Sequence, residues 1–199
     1  MIMKKIIKLS LILVAVLTTM NINAAEGDIS LFVRKGKGKK VSFAMNEVKN
    51  ISLSIYDSKD KLIHTENVHS DKAISRTYDL AALPNGTYFL EAETSAKIVR
   101  YAITVAGETA ALSQTISSEV FKPVLKNKNG EVSLSILNLD KSPVNIKIYD
   151  IYENELYNTT VSEEQVIHKF FDIKNFPKEK YTFVMSYDDK VFSKTVTSK

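Results

Sequence analysis

The sequence predicts an all-β protein made of two tandem copies of one small β-sandwich module, placed after an N-terminal export signal. Three observations carry that prediction. Beyond the first segment, apolar residues alternate with period two and show no helical period. The chain aligns with itself over the length of a whole module. Turn-forming residues separate the alternating runs at short intervals.

The self-alignment decides the domain organisation. At a constant shift of 93, Asn50–Val105 falls on Pro143–Ser198. Ile55-Tyr56-Asp57 meets Ile148-Tyr149-Asp150, Asp79 meets Asp172, Pro84 meets Pro177 and Tyr88 meets Tyr181. Most other pairs are apolar on apolar, among them Leu53 with Ile146, Tyr78 with Phe171 and Leu90 with Phe183. Upstream the shift becomes 91, which lays Val33–Val41 on Val124–Val132 and puts two extra residues in the Asp140-Lys141-Ser142-Pro143 turn. Matches that keep the hydrophobic phase across a whole module point to duplication.

Within each copy the runs read as strands. Ile29, Leu31 and Val33 alternate, as do Val41, Phe43 and Met45, and Ile51-Ser52-Leu53-Ser54-Ile55 has its counterpart in Val144-Asn145-Ile146-Lys147-Ile148. Lys35-Gly36-Lys37-Gly38, Asp57 to Lys61 and Pro84-Asn85-Gly86 supply the turns, as do Asn127 to Gly130 and Pro177-Lys178-Glu179. About seven short strands per copy is the count of an immunoglobulin-like or fibronectin-III-like sandwich. Tyr88 and Tyr181 each follow an apolar residue and a proline turn, the setting of a tyrosine corner, in which the hydroxyl bonds backbone. The expected organisation is a signal peptide at 1–24, module one at 25–106, a linker at 107–117 and module two at 118–199. The linker is rich in small residues, so relative motion of the modules is expected.

The N-terminus has the grammar of a secretory signal. Lys4, Lys5 and Lys8 precede an apolar stretch from Leu9 to Met20, and Ile22-Asn23-Ala24 offers cleavage after Ala24. The stretch falls short of the roughly 20 residues that span a bilayer, so no membrane anchor is expected after cleavage. The chain has no cysteine, hence neither a lipidation site nor a disulfide framework. Its 27 Lys and Arg against 23 Asp and Glu lose three lysines with the signal, leaving a near-neutral mature chain without the electrostatic footprint of a nucleic-acid binder.

The strand ending Ile55-Tyr56-Asp57 and the segment from Tyr78 through Leu83-Pro84-Asn85-Gly86-Thr87-Tyr88 to Glu93 resemble the small β-sandwich modules of secreted Bacteroidetes proteins. The likeness is greatest to the C-terminal sorting domains of the type IX (Por) secretion system and related domains of unknown function. It covers roughly residues 41–105, and more loosely 132–199, where Glu179 stands in place of the expected glycine. The resemblance implies export, and for a C-terminal copy a sorting role at the outer membrane.

Chemistry-bearing motifs are sparse. His64, His69 and His168 occupy non-equivalent repeat positions, and Asp57, Asp60, Asp71, Asp188 and Asp189 form no calcium-loop spacing. No nucleophile elbow or Ser-x-x-Lys with partners occurs. No cofactor is expected, and the reading is non-enzymatic. Two binding candidates remain. Arg34, Lys35, Lys37, Lys39 and Lys40 crowd a glycine-containing hairpin tip that could contact a polyanion, although lysine and glycine are also ordinary there. Tyr152, Tyr157, Phe170 and Tyr187 in the second copy are candidates for an aromatic face toward a glycan or protein partner, with core burial the competing role. The expected function is that of an exported structural or interaction protein of the periplasm or cell surface, with type IX sorting and glycan or polyanion binding as the alternatives.

Overall fold

The computed structural model describes residues 29–34, 36–45, 49–177 and 179–198. The expected signal peptide, its cleavage point at Ala24, and Lys35 lie outside the described residues. Every regular element among those described is a strand. The first copy comprises β1 (Leu31–Arg34), β2 (Lys40–Met45), β3 (Asn50–Asp57), β4 (Leu62–His69), β5 (Ile74–Asp79), β6 (Gly86–Glu93) and β7 (Lys97–Ala106). A long strand, β8 (Thr109–Phe121), follows. The second copy comprises β9 (Val124–Lys128), β10 (Glu131–Leu137), β11 (Val144–Tyr149), β12 (Glu155–Val161), β13 (Val166–Asp172), β14 (Lys180–Tyr187) and β15 (Lys190–Thr197).

Each copy packs a three-stranded sheet on a larger one, the two-layer sandwich of the fibronectin-III and immunoglobulin class. In copy one the orders are β1-β2-β5 and β4-β3-β6-β7-β8; in copy two they are β9-β10-β13 and β12-β11-β14-β15. All pairings are antiparallel. The period-two alternation determines which face is buried. Val41, Phe43 and Met45 enter the first core with Ile51, Leu53 and Ile55, while Val132, Leu134 and Ile136 enter the second with Ile146, Phe183 and Met185. Burying each such side chain contributes about 1.5–3 kcal/mol.

Local contacts repeat between the copies. Asp57 accepts from the amides of Lys59 and Lys61 at 2.8 and 2.9 Å, and Asp150 from those of Tyr152 and Asn154 at the same distances. Both turns place an acidic residue in the left-handed region, Asp60 at φ 59° and Glu153 at 63°. Tyr88 donates its hydroxyl to the Pro84 carbonyl at 2.9 Å and Tyr181 to that of Pro177 at 3.1 Å, so both tyrosine corners are formed.

Two features depart from the sequence reading. Arg34 lies opposite Ser42 and Lys126 opposite Ser133, so the first strands correspond at a shift of 92 rather than 91. Val33 therefore matches Leu125, and both pack against their cores. Matching Val33 to Val124 would exchange faces, because a one-residue slip flips every side chain of a strand. The β1–β2 hairpin absorbs the difference with one extra residue.

The second departure is larger. Residues 107–117, expected as a linker, form the turn at Gly107 and most of β8. This strand pairs with β7 from Ala106↔Thr109 to Lys97↔Phe121, with irregular register around Tyr101. Leu112 near its start is buried in the first core, and Val120 near its end is buried in the second. One strand thus serves both modules.

Candidate interaction surfaces

Two residues of the basic hairpin tip contact the rest of their module. Lys39 donates to the Leu83 carbonyl at 3.1 Å, and Lys40 pairs with Asp79 at 3.5 Å on the neighbouring strand. Gly36 lies so close to the Lys40 carbonyl that a Cβ there would stand 1.9 Å from its oxygen, so the close approach within the hairpin requires glycine. Arg34 and Lys37 are exposed. Of the four described cations, Lys39 and Lys40 are bonded within the first module.

The four aromatic candidates divide. Tyr152 and Phe170 are 76% and 82% exposed. Tyr157 instead packs edge-on against Phe171 at 5.3 Å, and Phe171 in turn against Phe183 at 5.3 Å, which closes the gap between the two sheets. Tyr187 is buried and donates its hydroxyl to the Phe121 carbonyl at 2.5 Å. Burial, helped by the charge of Asp188, pushes that hydroxyl well above the usual tyrosine range. The sequence carried this distinction in its phase: Tyr187 shares alternation with Tyr181, Phe183 and Met185, all core residues. Tyr152 lies in the β11–β12 turn and Phe170 on the opposite sheet, so they do not form the single aromatic face expected.

Phe170 belongs to a different surface. The outer face of β9-β10-β13 carries Val124, Leu137, Val166 and Phe170, all exposed, with Leu137 directly opposite Val166. His168 Nδ1 lies 3.0 Å from Ser135 Oγ on the same face. In copy one the positions of Val166 and Phe170 are held by Ala73 and Thr77, and Thr77 bonds Ser42 at 2.8 Å. At these two positions copy one carries smaller side chains, although its own outer face exposes Phe32 at 52%.

The copies also seal the gap between their sheets differently. On β4 of copy one, Glu66 receives a 3.0 Å bond from Arg76 and a 2.6 Å bond from the Tyr78 hydroxyl, both on β5 of the facing sheet. Partial burial acts to raise the Glu66 carboxyl, but these two donors outweigh it and hold the group below its ordinary value. Copy two replaces the trio with Thr159, Lys169 and Phe171, and aromatic packing does the sealing.

Sequence reasoning missed the contacts between the modules. Glu91 on β6, buried, accepts from Arg100 Nε at 2.6 Å and from Lys190 of the second copy at 2.8 Å. Arg100 further pairs with Asp60 at 2.7 Å and lies over the ring of Tyr56 at 5.0 Å. Burial opposes the charge on Arg100, and its bonds to Glu91 and Asp60 more than offset that, raising its pKa. Lys97–Glu119 and Lys122–Glu93, both at 2.6 Å, flank the joint. Beside it opens a cleft lined by Tyr56, Arg100, Asp140, Asp188 and Asp189. Nothing in a linear pattern marks Glu91 as the partner of a lysine 99 residues away.

Among the described residues, no group of three or more His, Cys, Asp or Glu side chains is placed to hold a metal. No described helix is long and apolar enough to cross a membrane.

Residues 37–106 match the family model described as the secretion system C-terminal sorting domain. This is the first copy. No curated protein is similar to the chain at a significant level. Among solved structures, the chain is similar to the BSP domain of a biofilm associated protein, at 13% identity over 83% of this chain and 29% of that one, with a TM-score of 0.28. It is also similar to a two-domain fibronectin type III segment of chicken tenascin, at 10% identity over 84% of this chain and 97% of that one, with a TM-score of 0.30. The chain therefore spans less than a third of the first of these structures. The sorting-domain match and the all-β sandwich of each copy agree with the resemblance read from the Ile55-Tyr56-Asp57 and Leu83-to-Tyr88 segments.

Proposed function

We propose that the chain is an exported, non-enzymatic structural element of the periplasm or cell surface: a stiff two-module unit that presents the outer sheet of its second copy at a set distance and angle. The observation that supports this reading is β8, which pairs with β7 along its length and ends inside the second core. A flexible tether would let two modules bind independently, whereas a shared strand with buried Glu91 at the joint holds one orientation. The sorting-domain match of residues 37–106 supports export.

The test combines fractionation of the native host with measurement of inter-module orientation by residual dipolar couplings. A cytoplasmic protein, or modules that tumble independently, would overturn the proposal. So would hydrolytic turnover abolished by substitution of a single Asp or Glu.

The family match favours a second reading, in which a module of this chain directs type IX sorting. Both copies carry the corner tyrosine and its proline turn, and the family model falls on the first copy. Expression in a type IX-competent host, beside an isogenic strain without the translocon, separates the readings. Surface delivery that requires the translocon supports sorting, and delivery that does not counts against it.

A further inference from the structure

We propose that the open edge of β15 is a docking site for an extended, carboxylate-bearing segment of a partner protein, which adds as a fifth strand to the larger sheet of copy two. The repeat singles out this edge. β1, β4 and β5 are sheet edges in copy one, and their counterparts β9, β12 and β13 are edges in copy two. β15 differs, because its counterpart is covered: β7 lies inside its sheet, with β8 paired antiparallel along it. Copy one thus shows what this position accepts, an added strand, and copy two holds the same position open among the described residues. Strand addition to a free sheet edge is a recurrent mode of peptide recognition, in which main-chain bonds give affinity and side chains give specificity.

A cleft runs along that edge. Val191, Phe192, Ser193 and Lys194 line it in succession, residues of both faces of β15, so it follows the backbone edge rather than one face. Tyr56 and Ile98 of copy one form its far wall. The chemistry of the occupant follows from the charges. Lys190 and Lys122 in the cleft are matched by Glu91 at 2.8 Å and Glu93 at 2.6 Å. Lys194 is exposed and has no partner among the described residues, which makes it the uncompensated charge of the cleft. A lysine on an edge strand deters strands that cannot answer its charge, and an opposite charge across a strand pair is favourable. Copy one again supplies the pattern, since Lys97 of β7 pairs with Glu119 of β8 at 2.6 Å. Because copy one forms one wall, the site rests on the fixed module orientation proposed above.

The test is a titration of the isotope-labelled mature chain, followed by NMR, with three capped peptides: TVEVEVT, its lysine counterpart TVKVKVT, and TVEVEVT N-methylated throughout. TVEVEVT should bind with a dissociation constant below about 1 mM and shift the amides of β15. It should bind at least about five-fold more tightly than the lysine peptide or the methylated one, which cannot donate main-chain bonds. Lys194→Glu, at an exposed position, should reverse the preference between the two charged peptides, and Lys126→Glu on the β9 edge should leave it unchanged. Failure of TVEVEVT to bind, equal binding of the methylated peptide, shifts centred on another edge, or equal effects of the two substitutions would overturn the proposal. So would a dimer of the pure chain that Lys194→Glu abolishes, since the edge would then serve a second copy. Residual dipolar couplings separate this failure from that of the orientation: modules held at one angle that bind no peptide refute the docking site alone.

Discussion

Glu91 and Lys190 come from different copies of the repeat and meet at 2.8 Å, with the carboxylate buried and already bonded to Arg100. A carboxylate so enclosed is stabilised by its two cations and would be expensive to leave unmatched, as would the cations without it. The pair therefore links the orientation of the modules to the packing of the first.

Substituting its two members should give unequal effects. Glu91→Ala leaves Lys190 without its carboxylate and Arg100 with Asp60 as its remaining partner, and is expected to cost about 3 kcal/mol. Lys190 is partly exposed, so Lys190→Ala should cost about 1 kcal/mol or less. Yet Lys190→Ala should widen the distribution of inter-module angles, read by residual dipolar couplings, because it removes the contact between copies while Arg100–Glu91 survives. Equal costs in urea unfolding would show that the joint does not depend on the buried carboxylate.

The corner tyrosines should behave as fold residues in both copies. Tyr88→Phe and Tyr181→Phe each remove one hydroxyl from a proline carbonyl. Each is expected to cost about 1 kcal/mol, the usual net worth of such a bond. Urea unfolding at neutral pH measures both, and a loss confined to one copy would show that the repeat has diverged in its energetics there.

Glu66 predicts an acid sensitivity specific to copy one. Its carboxyl is held below the ordinary value, despite the opposing effect of burial, by Tyr78 and Arg76. A depressed carboxyl contributes stability that is complete above the unfolded-state value near 4.5 and is lost as pH falls through the folded value. The stability difference between wild type and Glu66→Gln should therefore be constant above about pH 5.5 and shrink on acidification. Thermal unfolding from pH 3 to 7 reads this, and parallel wild-type and variant curves throughout would contradict it.

Lys194 should act as an edge guard. At its equivalent in copy one stands Tyr101, buried beneath the added strand β8. β15 has no such cover among the described residues, and it places a lysine where Tyr101 would sit. Lys194→Tyr is expected to raise self-association, seen as concentration-dependent light scattering, with little loss of monomer stability. A variant that stays monomeric up to about 0.5 mM would remove that role from Lys194.

The duplicated sandwich was legible because buried positions in a strand recur every second residue. Phe43, Leu53, Leu90 and their counterparts leave that signature whatever their partners are. β8 was not legible, for a reason in the same physics. Only Leu112 and Val120 bury fully, eight positions apart, while the intervening residues are mostly small, polar and exposed. An edge strand with irregular register need not alternate, and Ala110 to Ser118 look like a tether. The first-strand slip arose because Val33 and Val124 are identical while their faces are opposite. The inter-module charges depend on spatial neighbours that no spacing encodes.

The strand that both copies use has a consequence for how the gene can change. Tandem duplicates are ordinarily free to be shuffled, lost or appended as whole cassettes. Here a deletion that removes copy one strips copy two of Val120 and of the Phe121 carbonyl that holds Tyr187. A deletion that removes copy two, cut before β8, uncovers β7 and Tyr101. The repeat is still visible as ancestry, but the two units have become a single heritable object that recombination cannot divide without damage.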